Sequence, residues 1–210
     1  MKIGILGAGR VGTTLGRRWA ELGHAVMLGV RDPASEQARA LLNSVGHGVR
    51  AGTLEQAAGA SEIVVLAVPW SSVHDALRSA GSLAGKILID CTNPIAEDLH
   101  GLTLGHTTSA GEQVAVWAEG ARVVKAFNTA GSRTMADPLF GGRRATLFLC
   151  GNDAAAKRVV TALGQELGFD PCDTGPLYHA RYLEPMAMLW VDMAYIQGRG
   201  SDFALAVLQR

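Results

Sequence analysis

Gly7, Gly9, Gly12 and Arg31 are the residues of this chain best spaced to hold a ligand. The glycines follow an apolar run of strand length, Lys2–Leu6, and give G-x-G-x-x-G. A helical pattern follows, with Val11, Leu15, Trp19 and Leu22 on one face, and Gly23 ends it. Ala25–Val30 then reads as a second strand. Strand, glycines, helix and strand within about 30 residues form the fingerprint of a dinucleotide site. Gly7 permits the tight turn, Gly9 lets the backbone approach a pyrophosphate, and Gly12 lets the helix lie close to the sheet. The free N–H groups and positive dipole of the helix start favour phosphate. The contact set therefore runs Gly7, Ala8, Gly9, Arg10, Val11, Gly12. Arg10 reads equally well as a phosphate contact or as a solvated arginine.

The end of the second strand chooses the nucleotide. An acid there bonds the 2′-hydroxyl of NAD. Val30 occupies that place and Arg31 follows, a guanidinium suited to a 2′-phosphate. Asp32-Pro33 reads as a helix start, with aspartate as N-cap and proline at the first helical position. The spacing favours NADP over NAD.

Further along, strand-like runs alternate with helical stripes, which predicts a parallel sheet with right-handed crossovers. The predicted strands are Val49–Ala51, Glu62–Val68, Lys86–Asp90, Arg122–Ala126, Ala145–Cys150 and Phe169–Cys172. In open parallel sheets ligands bind beyond the carboxyl ends of the strands. Ala67-Val68-Pro69-Trp70, Asn93-Pro94 and Asn128 fall at such ends. Trp70 reads as a wall for a planar ring or as a packed core aromatic. Asn128 reads as a partner for a carboxamide or a flavin-like ring edge, or as a turn residue. No regular pattern covers Cys91–Thr108, which reads as a lid or lining for a second substrate and contains His100 and His106. Ser109-Ala110-Gly111-Glu112 has the form of a capping box. Arg143-Arg144 reads as surface charge or as a contact for an anionic tail. Near the end, Leu183, Met186, Leu189, Met193 and Ile196 make a helical stripe in need of a partner, and Asp202–Leu208 reads as a short closing helix.

Composition bounds the class. The chain has 210 residues, 48% of them hydrophobic, enough for one core and a small appendage. Lys+Arg and Asp+Glu both number 19, so no charge field draws nucleic acid or an anionic membrane. Cys91, Cys150 and Cys172 match no zinc spacing and read as reduced thiols, and no histidine pair has ligand spacing. The first strand begins almost at once, leaving no room for a targeting peptide. Cytoplasmic location is the expectation.

The segments GILGAGRVGTTLGRRWAELGHAVMLGVRD, AVPW, IDCTNPI, VVKAFNT and CDTGPLYHARYLEP occur in that order. With them the chain resembles the coenzyme F420-dependent NADP oxidoreductases and, more distantly, the cytoplasmic domain of STEAP-type ferric reductases. It departs from the family at Val30, where the family carries a small hydroxyl residue. The resemblance implies an α/β Rossmann-type, doubly wound, mostly parallel sheet over residues 1–175, with a helical C-terminal segment over 176–210. It implies hydride transfer between NADP(H) and coenzyme F420, or FMN or FAD. The nicotinamide would lie near Val68, Pro69 and Trp70, and the second ring near Asn93–Ile95, Asn128 and Leu177–His179. His179 could contact the acceptor or simply start a helix. Other readings are a ferric reductase, an NADP-binding sensor without turnover, and a reductase of a small organic substrate. The C-terminal apolar stripe suggests a homodimer.

Overall fold

The central strands are near-continuous apolar runs whose side chains point alternately to two faces, so the sheet needs a helical layer on each side. The computed structural model describes residues 1–208. Its strands are β1 (Lys2–Leu6), β2 (Ala25–Gly29), β3 (Arg50–Gly52), β4 (Ile63–Leu66), β5 (Ile87–Asp90), β6 (Arg122–Ala126), β7 (Leu139–Phe140), β8 (Arg143–Arg144), β9 (Thr146–Gly151) and β10 (Asp170–Asp173). Its helices are α1 (Arg10–Glu21), α2 (Glu36–Val45), α3 (Leu54–Gly59), α4 (Val73–Ala80), α5 (Ala110–Trp117), α6 (Ser132–Ala136), α7 (Ala154–Leu167) and α8 (Ala180–Val191).

Eight strands form one sheet in the order β10-β9-β6-β5-β4-β1-β2-β3. Ile3, Ile5, Val65, Ile89 and Val124 face α1, α2 and α7, packing on Leu15, Trp19 and Val160. Leu66, Leu88 and Val123 face the other layer, where Ala58, Leu77, Val114 and Leu183 come from α3, α4, α5 and α8. Local chemistry starts the helices where the sequence allows it. Thr53 and Gln56 close a capping box on α3, and Asp153 caps α7 through the Ala156 N–H.

The doubly wound expectation holds, with one reversal. β1 to β6 are parallel, but β9 pairs antiparallel with β6, and β10 runs parallel to β9. The small β7–β8 hairpin, turning at Gly141 and Gly142, precedes the reversed strand. Arg143 and Arg144 are its exposed second strand.

Three local expectations need correction. Asp32-Pro33 does not start α2. The Asp32 carboxylate accepts the Ala34 N–H in a turn, and Ser35 caps the helix through the Ala38 N–H. The buried stripe of α8 and the π-helical turn Asp192–Ile196 after it is Leu183, Ala187, Trp190 and Ala194, while Leu189 and Ile196 are exposed. Asp202–Leu208 is not helical. β9 begins beyond the end of β6, since Leu149 already pairs with Ala126. The Thr146 N–H is therefore open to the tail and donates to the Leu205 carbonyl. Trp190 stacks on Phe203 and donates its indole N–H to the Phe203 carbonyl, which fixes the extended tail against α8.

Candidate functional site

Each glycine of the turn has a steric reason to be there. Gly7 has φ +114°, and a Cβ on it would lie 2.4 Å from the Ala67 carbonyl oxygen. A Cβ on Gly12 would lie 2.1 Å from the Gly7 carbonyl oxygen, so α1 can approach the turn only without one. Gly9 is different: apart from its immediate chain neighbours, nothing lies within 4 Å of its Cβ position. That open space at the start of a 12-residue helix is where a pyrophosphate needs to come. No side chain caps α1 and its first turn holds no acid. The Thr13 hydroxyl donates back to Gly9 and Arg10 carbonyls. Arg10 and Arg31 are both exposed, free to meet anionic oxygens. Val30 is tied by its N–H to the Gly52 carbonyl, which leaves Arg31 as the first side chain past the ladder.

Register places the other candidates on the same edge. Leu6 pairs with Gly29 on one side and Leu66 on the other, Leu66 with Asp90, and Asp90 with Lys125. Gly7, Ala67-Val68, Asn93-Pro94 and Asn128 therefore stand in one row beyond the strand ends. Asn93 and Asn128 interlock. Asn93 Nδ2 donates to the Asn128 carbonyl at 2.8 Å, and Asn128 Nδ2 donates to Asn93 Oδ1 at 3.0 Å and to the Leu183 carbonyl at 3.2 Å. Asn128 is 6% exposed, and its Oδ1 has no hydrogen-bond partner. A buried acceptor without a donor is costly, so it marks where a ligand N–H would be satisfied. Phe127 sets the turn into this asparagine. It takes a left-handed φ of 64°, uncommon for a bulky residue, with its ring held edge-on between Trp19 and Phe169. The loop after Asn93 folds as a flap: Ile95 bridges Leu102, and the Pro94 carbonyl accepts both the N–H and hydroxyl of Thr103.

Two ring candidates lie elsewhere. Trp70 opens a 3-10 turn, Trp70–Ser72, and its indole stacks on Trp117 at 5.4 Å and 25°. That ring serves the α4–α5 layer, so only the Trp70 backbone belongs to the edge. His179 follows the carboxyl end of β10. Because β9 and β10 are reversed, Gly151 pairs with Val124 and the Gly175 carbonyl accepts the Gly151 N–H. The Leu177–His179 turn is thus carried away from the nucleotide edge. The His179 ring contacts the Thr174 carbonyl and packs against Tyr178 and Tyr182.

Sequence reasoning missed the polar core beneath the asparagines. Lys125 is fully buried, and its Nζ donates to Asp90 Oδ2 at 2.9 Å, Glu184 Oε1 at 2.9 Å and the Thr92 carbonyl at 2.6 Å. Burial works against the ammonium, but the Asp90 and Glu184 carboxylates outweigh it and raise its pKa above the ordinary lysine value. Glu184 also accepts the Ala110 and Gly111 N–H groups and so caps α5 from α8. The Ser109 capping box is modified accordingly. Ser109 accepts the Glu112 N–H, while Glu112 turns to a bidentate pair with Arg181, which holds its carboxyl below the usual range. Burial raises the thiol pKa of Cys91 and pushes that of Cys150 up to about 12, which makes both poor nucleophiles. One signal was available: Asp90 and Lys125 are each the one charge inside an apolar strand core.

Among the described residues, no three or more His, Cys, Asp or Glu side chains cluster as a metal site requires, and no helix is long and apolar enough to cross a membrane. Residues 2–94 match the family described as NADP oxidoreductase, coenzyme F420-dependent. A crystal structure from Arthrobacter sp. FB24, provisionally assigned as an F420-dependent NADP reductase, is 36% identical, with TM-score 0.90 and 100% of both chains covered. The metalloreductase STEAP3 of Rattus norvegicus is 31% identical over 188 residues, which are 89% of this chain and 36% of the rat protein. The chain thus spans about a third of the length of that relative. A reductive aminase from Aspergillus terreus, at 21% identity and TM-score 0.66 over 94% of this chain and 62% of its own, shares the fold. The open glycine turn and the full-length likeness to the Arthrobacter protein agree: the chain belongs to the NADP-binding oxidoreductases of the coenzyme F420-dependent family.

Proposed function

We propose that this protein transfers a hydride between NADP(H) and a flavin-like acceptor, coenzyme F420 first and FMN or FAD second. The observation that carries the reading is the single row of Gly9, Arg31, Val68 and the Asn93–Asn128 pair along one sheet edge. The likeness to the Arthrobacter protein supports F420 as acceptor, and the likeness to the rat metalloreductase supports a metal reductase as the alternative. NADPH supplies the hydride with its electron pair, and the acceptor takes it together with one solvent proton. The protein's part is to bind, orient and exclude water. The N–H groups at the start of α1 hold the pyrophosphate. Arg31 meets the 2′-phosphate. Asn128 Oδ1 accepts an N–H of the carboxamide, and the 94–103 flap covers the acceptor side.

The direct test offers F420, FMN and FAD in parallel and follows loss of the reduced nicotinamide, with NADH as control. Oxidation of NADPH with F420 alone is the expected result. Turnover only with FMN or FAD moves the protein to the flavin branch. NADPH binding without turnover on any acceptor overturns the reading and leaves a sensor or a reductase of another organic substrate.

The reading includes a homodimer. Tyr182, Leu189, Tyr195 and Ile196 leave an apolar outer face on α8 and the π-helical turn, 42–63% exposed. Light scattering is expected to give twice the 22.0 kDa chain mass. The monomer mass across micromolar concentrations refutes it.

A further inference from the structure

The buried Lys125–Asp90–Glu184 cluster has no part in the hydride reaction as described, yet it touches both supports of the asparagine pair. Lys125 spends all three ammonium hydrogens, on Asp90, Glu184 and the Thr92 carbonyl. Thr92 is the residue before Asn93. Leu183, whose carbonyl accepts Asn128 Nδ2, is the residue before Glu184. Asp90 tightens the same turn by accepting the N–H and hydroxyl of Thr92. One ammonium therefore fixes, at one residue's remove, the chain on either side of the interlock.

We propose that Lys125 is the positioning residue for the Asn93–Asn128 pair, holding both amides in the orientation that meets the carboxamide end of NADP(H). This rests on the reading that the nucleotide lies along that edge. Stability alone is a poor explanation of the cluster. Buried ion clusters seldom exceed well-packed apolar replacements in stability. A fully satisfied polar network rigidifies what it touches, and a ligand site gains from a locked supporting shell. The fit is close on the α8 side too: a Cβ on Gly111 would lie 3.0 Å from Ala180 Cβ, so α5 and α8 pack with little slack around Glu184. From the other side, the left-handed Phe127 backbone, wedged by Trp19 and Phe169, completes the constraint.

The test compares wild type, Glu184→Gln and the neutral triple variant Asp90→Asn/Lys125→Met/Glu184→Gln, all as full chains. Side-chain amide NMR signals of Asn93 and Asn128 are recorded without ligand, and NADP⁺ is titrated by calorimetry. In wild type both amides are expected to be dispersed and slow to exchange. In the triple variant they are expected to collapse to the positions of mobile amides, and NADP⁺ affinity to fall about tenfold. A folded triple variant with dispersed amides and unchanged affinity overturns the proposal. If the triple variant does not fold, Glu184→Gln decides. It is expected to shift both amides and weaken NADP⁺ about threefold, and a folded Glu184→Gln with unmoved amides overturns the proposal. Failure of wild type to bind NADP⁺ refutes the proposed function instead, and the ligand-free amide signals still judge the positioning role.

Discussion

Arg31→Ala is expected to weaken NADPH binding about 10- to 30-fold and to leave NADH within about twofold. The two nucleotides differ only in the 2′-phosphate, so the ratio isolates one interaction. Arg31 is the first polar side chain beyond β2, since Val30 before it offers no polar atom, and the Asp32 carboxylate is turned onto the Ala34 N–H. No other side chain on that turn presents a cation. A charge-assisted guanidinium–phosphate contact is stronger than a neutral hydrogen bond. Arg31 is solvent-exposed, so screening keeps the effect toward the lower end, and raising the salt shrinks it further. Isothermal titration with both nucleotides at two salt concentrations checks this. Equal weakening of NADPH and NADH removes Arg31 from 2′-phosphate recognition.

The position of Arg31 just past the second strand was legible because its neighbourhood is local: strand, glycine turn, helix and strand lie in one continuous stretch. The same holds for Ser109, whose cap on the Glu112 N–H depends on a residue three positions away. Long-range features were less legible. Nothing in Thr146–Gly151 states that this strand runs backwards, because an apolar run reads the same in either direction. The reversal carries the Leu177–His179 turn, which the family resemblance had put near the second ring, away from the nucleotide edge. For Trp70 the sequence left two readings open, because a strand-end aromatic can turn to the mouth or to the helical layer, and only the distant Trp117 shows that it packs. Phe127 left no trace at all: a left-handed phenylalanine is set by Trp19 and Phe169, distant in sequence. Asp90 and Lys125 were visible as charges in apolar strands. Their pairing required the β5–β6 register, and Glu184 lies 59 residues beyond Lys125 on a helix whose docking no local pattern encodes.

Lys125→Met alone is expected to be the most damaging single change, in contrast to the neutral triple variant. Methionine fills the lysine stem but leaves Asp90 and Glu184, 0% and 1% exposed, without the cation between them. Breaking a buried pair by removing one partner costs about 3–5 kcal/mol, or about 6–20 °C in melting temperature for a chain of this size. The pH dependence gives the sign. In wild type the Lys125 pKa is raised, so its contribution is fully present below the ordinary lysine value and is lost as pH rises through the folded-state value. Wild type should therefore lose stability in alkali through this group. In Lys125→Met that loss disappears. Instead, one of the two uncompensated carboxylates takes up a proton more readily than in the unfolded chain, because burial and a like charge both raise its pKa. The variant's deficit should then be smaller at about pH 5 than at about pH 8. Thermal melts of both proteins across that range decide the matter. A deficit independent of pH would mean that neither buried carboxylate takes up a proton in the variant, and would overturn this electrostatic account of Lys125.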